Sequence, residues 1–174
     1  MTWWVLVLPV AFVVSLGIRS LYLLDYAHVL SGALWTGADL FLGFVFGPIM
    51  RRLTPDQRKG VISYLVPRTL LYMPVVAFTT GTAGWYLATQ QGFLATASPM
   101  RPWVLGALAI TTILALIGLG VFLPNNLRIW FELRKDLPDI ERITRLNRQN
   151  LRLAGVQGIL QVTIILVMAH LALG

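Results

Sequence analysis

Residues 103–123 read WVLGALAITTILALIGLGVFL, an uninterrupted run without a charged side chain. A helix needs about 20 mostly apolar residues to cross the hydrocarbon core of a bilayer, and this run has that length. The rest of the chain is similar: of its 174 residues, 57% are hydrophobic and 12% are charged. The charged fraction is about half that of an ordinary soluble domain. The sequence therefore predicts a membrane protein.

Five apolar runs predict an all-α, polytopic membrane protein with five transmembrane helices, forming one domain over residues 1–174. The predicted spans are residues 3–24, 27–50, 70–90, 103–123 and 153–173. The first has no charged segment before it and no small-residue cleavage site after it, so it predicts a retained helix, not a signal peptide. We also expect the fourth helix to continue past Pro124, and one helix to run from Asp139 into the fifth span.

Basic residues are concentrated in two of the connections between these spans. Twelve of the 14 lysines and arginines lie within residues 51–68 and 128–152. Because basic loops stay on the cytoplasmic side, this pattern predicts an inner-membrane protein with its N-terminus inside and its C-terminus outside. The same clustering accounts for the net charge of +7, so the expected partner is the lipid bilayer and not nucleic acid.

The candidate metal ligands are few, and they lie near the predicted outer surface. The chain has no cysteine and two histidines, His28 and His170, which excludes thiolate metal sites and c-type haem. Two histidines at matching depth on neighbouring helices can hold haem b as axial ligands. They can also bind copper together with the thioether of Met168. The remaining alternative is that both are interfacial histidines that only form hydrogen bonds.

One carboxylate, Asp39, lies deep inside a predicted span. A charge at this depth is costly, so an acidic residue here is a candidate functional group. His28, Trp35 and Asp39 share one helix face because their spacing is i, i+7 and i+11, and we expect this face to point into the bundle. Asp39 is then a candidate proton relay or a partner of a bound cofactor. The alternative is a structural network with candidate partners Thr79, Thr80 and Arg68.

Other polar and small residues in the spans are candidates for helix packing, ligand binding or a helix irregularity. Gln157 and Gln161 lie one turn apart in the fifth span, where they can hydrogen-bond across helices. The many glycines of the second, third and fifth spans allow either close helix packing or room for a flat ligand. Pro124, followed by Asn125 and Asn126, predicts a kink or an end of the fourth helix.

Several motifs resemble one superfamily of small membrane proteins. They are HVLSGALWTG at residues 28–37, GP at 47–48, PRT at 67–69, GWYL at 84–87 and RLNR at 145–148. Over roughly residues 26–172, this pattern resembles the CopD-like superfamily, which includes copper-resistance D membrane proteins and HemJ-type protoporphyrinogen oxidases. The resemblance implies an antiparallel four-helix core made of helices two to five. It also implies a haem ligand at His28, whereas the fourth helix lacks the functional lysine of HemJ-type proteins.

These observations lead to one main hypothesis and two alternatives. The main hypothesis is a haem b protein with a redox role at the outer face, either electron transfer or oxidation of a lipophilic partner such as a quinol or a porphyrin. His28 and His170 would be the axial ligands, Trp35 would pack near the porphyrin, and Asp39 would relay protons. The first alternative is copper transport or handling by His28, His170 and Met168. The second is a cofactor-free structural or assembly subunit of a larger membrane complex. A homo-oligomer or a membrane complex is expected, with an electron-transfer protein as a further candidate partner.

Overall fold

The computed structural model describes residues 3–173, which form helices and connecting turns and contain no strand. A short apolar helix, α1 (Trp3–Gly17), precedes four helices that are long and apolar enough to cross a membrane. These are α2 (Leu21–Arg52), α3 (Pro55–Gln90), α4 (Arg101–Glu132) and α5 (Ile140–Leu173). Each is about 50 Å long at about 1.5 Å per residue, which exceeds the hydrocarbon thickness of about 30 Å. The prediction of an all-α polytopic membrane protein is therefore confirmed.

The structure differs from the sequence prediction in the first span. Residues 3–24 are not one helix: α1 ends at Gly17, Arg19 has a positive φ of 54°, and α2 begins at Leu21. The Ser20 hydroxyl caps α2 by accepting a hydrogen bond from the backbone N–H of Leu23 at 3.2 Å. α1 is about 22 Å long, too short to cross the hydrocarbon core alone. Hydropathy missed this boundary because the turn lies within a largely apolar stretch.

The other helix boundaries match the prediction at one end or both. α3 begins at Pro55, 15 residues before the predicted start at residue 70, behind a capping box between Thr54 and Gln57. Most of the first basic connection is therefore helical. The expected continuation of the fourth helix past Pro124 is confirmed, since α4 reaches Glu132. The expected single helix leading into the fifth span is α5.

The long helices pack side by side in antiparallel order. Between α2 and α5, Asp39 contacts Gln161, and the later residue Gly43 meets the earlier residue Gly155. The same reversal of order joins α2 to α3 and α4 to α5. One end of the bundle carries residues 51–59 and 128–152 and is called the basic end below; the other is called the opposite end. The bundle agrees with the antiparallel core that the resemblance implied.

Close backbone contact between α2 and α5 is made possible by glycine. A Cβ added to Gly43 would overlap the backbone of Gly155, and a Cβ added to Gly158 would lie 2.7 Å from Leu40 Cδ2. Of the two interpretations of the glycines, these contacts support close helix packing at this level. They also fix the register that determines which polar side chains meet inside the bundle.

Candidate functional site

Asp39 lies at the centre of the bundle and is fully buried, with 0% of its surface exposed. It is three residues from the midpoint of α2 and about 20 Å along the helix from Arg52. Trp35, on the preceding turn, is also buried, in a hydrophobic cluster with Val76 and Leu114. The expectation that this helix face points into the bundle is confirmed for both residues. A carboxyl group at this depth needs a polar partner from another helix.

That partner is Gln161 of α5. Its Nε2 atom donates a hydrogen bond to Asp39 Oδ2 at 3.0 Å. Gln157, one turn earlier on α5, is also buried. The partners considered from the sequence have other contacts. The side-chain hydroxyls of Thr79 and Thr80 donate to backbone carbonyls of their own helix, and Arg68 donates to the backbone carbonyl of Tyr64. The sequence predicted that the two glutamines hydrogen-bond across helices, and this contact confirms that prediction for Gln161.

Three buried oxygen atoms at this site lack a hydrogen-bond partner. They are Asp39 Oδ1, Gln157 Oε1 and Gln161 Oε1, the buried side-chain atoms without a partner in residues 3–173. All three are hydrogen-bond acceptors, and an unsatisfied buried acceptor costs about 1–3 kcal/mol. A protonated carboxyl group would supply a donor where an ionised one supplies only acceptors. A protonated Asp39 would therefore supply a donor to this set of acceptors.

A cavity of about 50 Å³ connects Asp39 to polar residues nearer the basic end. Seven of its twelve lining residues are apolar, and the polar ones are Asp39, Thr69, Asn126, Asn147 and Asn150. A polar cavity holds a water molecule when it offers at least about 10–15 Å³ and two to four polar partners. This cavity therefore has room for a few waters in line between the carboxyl group and the asparagines.

The asparagines belong to a network between α4 and α5. Asn125 Nδ2 donates to Asn150 Oδ1 at 2.9 Å and to Gln149 Oε1 at 3.3 Å, and Asn150 Nδ2 donates to Asn126 Oδ1 at 2.8 Å. Sequence reasoning placed Asn125 and Asn126 at a kink and missed their partners. A signal existed: Asn147, Asn150, Gln157 and Gln161 fall within about 80° of one face of α5 at 100° per residue.

Irregular helix segments adjoin the cavity on two sides. α2 is π-helical over Phe41–Phe46, directly after the Asp39 turn, and α4 is π-helical over Gly118–Phe122, directly before Pro124. Leu42 and Phe122, one from each segment, line the cavity. π turns inside α-helices are rare and often occur at functional sites. Their position therefore supports this part of the bundle as a candidate functional site.

The two histidines have different partners. His28 lies against α3, where its Nδ1 atom donates to the carbonyl oxygen of Thr80 at 2.9 Å. A Cβ on Gly84 would come within 2.7 Å of His28 Cε1, so the ring is packed against that backbone. His170 is exposed, and its ring packs against Trp103 of α4 with ring centroids 4.0 Å apart. Within residues 3–173, neither histidine is a hydrogen-bond or ring partner of the other, and Met168 is half-buried on α5.

The metal-binding expectations can be compared with this arrangement. The described part of the chain has no group of three or more histidine, cysteine, aspartate or glutamate side chains able to hold a metal ion. Because a carbonyl oxygen only accepts, the hydrogen of a neutral His28 is on Nδ1 and its Nε2 atom is left as a ligand, an orientation typical of metal-binding histidines. His28 thus fits a single ligand position. Haem or copper binding by His28 and His170 together stays a prediction.

Comparison with known proteins adds no relative from which a function could be carried over. No family model, curated protein or solved structure matches this chain. The candidate site therefore stands on its own geometry.

Proposed function

We propose that the protein is a membrane-embedded proton relay in which Asp39 takes up and releases a proton through the asparagine-lined cavity. In the uptake step, a proton passes from water at the basic end to a carboxylate oxygen of Asp39. The release step returns it along the same path to water at the basic end. The observation that carries this proposal is a fully buried carboxyl group with one unpartnered oxygen of its own, together with two unpartnered glutamine oxygens on α5.

Two further observations support the proposal. An ionised carboxylate in the hydrocarbon region is costly. Within residues 3–173, Asp39 has a hydrogen bond from a neutral amide and no ion pair with a basic side chain. A bound proton removes the charge and also adds a donor. The cavity then places three asparagine side chains nearer the basic end in the same space as Asp39, where they can hydrogen-bond to waters that carry the proton.

The first test is an infrared pH titration of the protein in lipid vesicles. The wild type is expected to show the carbonyl band of a buried carboxylic acid, and Asp39→Asn is expected to remove it. Asp136→Asn makes the same chemical change at an exposed position between α4 and α5 and is the matched control. A titrating band that persists in Asp39→Asn would overturn the assignment of the proton to this residue.

The second test measures how fast the carboxyl band of Asp39 shifts after transfer from H2O to D2O, which reports exchange of its proton with water through the cavity. Asp136→Asn is expected to exchange at the wild-type rate. Asn147→Leu is expected to slow the exchange but to keep the infrared band, because Asn147 lines the cavity and does not hold the proton. Asn147→Ser, which keeps a polar group, should stay closer to the wild type. Equal exchange rates in the wild type and Asn147→Leu would refute the relay.

A second candidate function, haem or metal binding at His28, is favoured by the hydrogen bond that orients its ring. We propose this role for His28, with an electron-transfer or oxidising activity towards a lipophilic partner as the function it would serve. A bound haem would supply the one-electron chemistry. The chain's own part is to hold the imidazole with its Nε2 atom available, by means of the Thr80 carbonyl and the close backbone of Gly84.

The two histidines act as each other's control in the test of this candidate. Protein purified after haem supplementation is examined by reduced-minus-oxidised absorption spectroscopy, with copper and iron measured on the same sample. His28→Ala is expected to abolish the signal, whereas His170→Ala is expected to weaken it only if His170 is the second ligand. Stoichiometric copper without a haem spectrum would support copper handling. A colourless, metal-free protein would leave the structural or assembly role as the better explanation of the histidines.

A further inference from the structure

Four arginines line a second cavity at the basic end, between α2, α3 and α5. The cavity is about 70 Å³ in volume, and its arginines are Arg51, Arg58, Arg148 and Arg152. Arg51, Arg148 and Arg152 are exposed and form the rim, while the floor is formed by buried groups that include Asn147. No acidic residue lines this cavity, so the positive charges face a space without a counter-charge from the protein.

The arginines are also available for a ligand. The ion pairs found in residues 3–173 join Glu132 to Lys135 and Arg142, and none involves an arginine of this cavity. Arg58 is positioned by the end of α2, since its Nε atom donates to the Met50 carbonyl at 3.1 Å and its Nη2 atom to the Leu53 carbonyl at 2.9 Å. Three of its five donor hydrogens are still available after these two bonds. The guanidinium group is thus held at the cavity by the protein.

The depth of this cavity indicates which kind of anion it meets. Arg51 lies 12 residues after Asp39, about 18 Å along the helix, and the hydrocarbon core extends about 15 Å from its centre. With Asp39 at the centre, the rim lies at the level of the lipid headgroups. Apolar groups of Met50 and Leu151 line the same cavity, which suits the glycerol and first acyl carbons below a headgroup.

From these observations we infer that the cavity is a binding site for the phosphate headgroup of an anionic membrane lipid. Guanidinium groups bind phosphate oxygens through paired hydrogen bonds, and basic cavities between transmembrane helices bind anionic headgroups. Here arginines from three helices converge on one space, so a bound phosphate would tie α2, α3 and α5 together. This inference does not depend on the proposed proton relay, although Asn147 lines both cavities.

The inference is tested by native mass spectrometry of the whole protein with dioleoyl phosphatidylglycerol, dioleoyl phosphatidylcholine and inorganic phosphate as separate probes. The two lipids have the same acyl chains and differ in headgroup charge. One retained phosphatidylglycerol and weaker retention of phosphatidylcholine are expected. The double variant Arg148→Gln/Arg152→Gln is expected to raise the Kd for phosphatidylglycerol about 30-fold, from the attraction of two arginines to an anionic headgroup.

The control variant is Arg128→Gln/Arg145→Gln, which removes the same charge from two exposed arginines at the same end that do not line the cavity. It is expected to bind like the wild type. Asp39→Asn should also retain the lipid, which separates this test from that of the relay. If Arg148→Gln/Arg152→Gln does not fold, Arg148→Lys/Arg152→Lys keeps the charge but loses the paired hydrogen bonds and should still weaken binding.

Three results would overturn the inference. The first is an equal loss in the cavity variant and the control variant, which would mean attraction to the basic surface as a whole. The second is inorganic phosphate binding as tightly as the lipid, which would make this a site for a soluble anion. The third is equal retention of phosphatidylglycerol and phosphatidylcholine.

Discussion

Replacing Gly43 by alanine should separate α2 from α5 and disturb the buried carboxyl group without touching it. The added Cβ would overlap the Cα and N atoms of Gly155. Since non-bonded carbon atoms need about 3.5 Å or more, the helices would have to separate by about 1 Å at this level. Asp39 lies one turn away from the overlap, and its bond to Gln161 is 3.0 Å long. A shift of that size takes the bond beyond the normal limit of about 3.2 Å.

Gly37 provides the matched control, because it lies on the same helix and a Cβ there would meet nothing within 4 Å. Both substitutions gain the same helix propensity, about 1 kcal/mol, so this gain cancels in the comparison. Overpacking typically costs about 1–3 kcal/mol, and a lost cross-helix hydrogen bond costs about 0.6 kcal/mol in membrane proteins. Gly43→Ala should therefore be less stable than Gly37→Ala by about 2–3 kcal/mol.

The free energy of unfolding of both variants can be measured by titration with sodium dodecyl sulfate in mixed micelles, followed by circular dichroism. The infrared band of the buried carboxyl group provides the second readout and should shift in Gly43→Ala only. If Gly43→Ala is as stable as Gly37→Ala and its infrared band does not shift, the close contact between α2 and α5 does not exist as described. The register argument for the site would then be wrong.

Three further predictions concern single contacts. Gln161→Leu keeps the side-chain volume but removes the cross-helix hydrogen bond to the buried carboxyl group, so it should shift the infrared carboxyl band and destabilise the protein by about 0.6 kcal/mol. Gly84→Ala should displace the ring of His28 and weaken any haem or metal signal, whereas Gly81→Ala, whose Cβ would have an ordinary contact at 3.9 Å, should not. Glu132→Gln removes both ion pairs of that residue, so trypsin should cleave the connection between α4 and α5 faster than in the wild type.

The fold could be predicted from the sequence because a bilayer imposes a simple requirement on helix length and polarity. Residues 103–123 satisfy it on their own, and the helix continues to Glu132 as expected. Residues 18–20 show where this reasoning ends. Because the surrounding sequence is apolar, hydropathy does not detect a helix boundary there. The chain nevertheless turns at these residues, since Arg19 has a positive φ and Ser20 caps the next helix.

The sequence predicts which residues of the candidate site share a helix face, but it does not predict their partners on another helix. The spacing of Trp35 and Asp39 fixes their common face within one helix, and burial of both follows from it. The choice of Gln161 as partner depends on the axial register between α2 and α5, which no periodicity within either helix contains. That register is set by contacts such as the one between Gly43 and Gly155, where two helices lack side chains at the same height.

The same contacts explain why a polar site can exist at this depth. Where α2 and α5 approach closely, their backbones leave little room for lipid or apolar side chains, and Asp39 is closed off on that side. The π-helical turns Phe41–Phe46, which includes Gly43 itself, and Gly118–Phe122 interrupt regular α-helical packing beside the cavity. A cavity that joins asparagine side chains to a buried carboxyl group is the arrangement on which the proposed proton exchange at Asp39 depends.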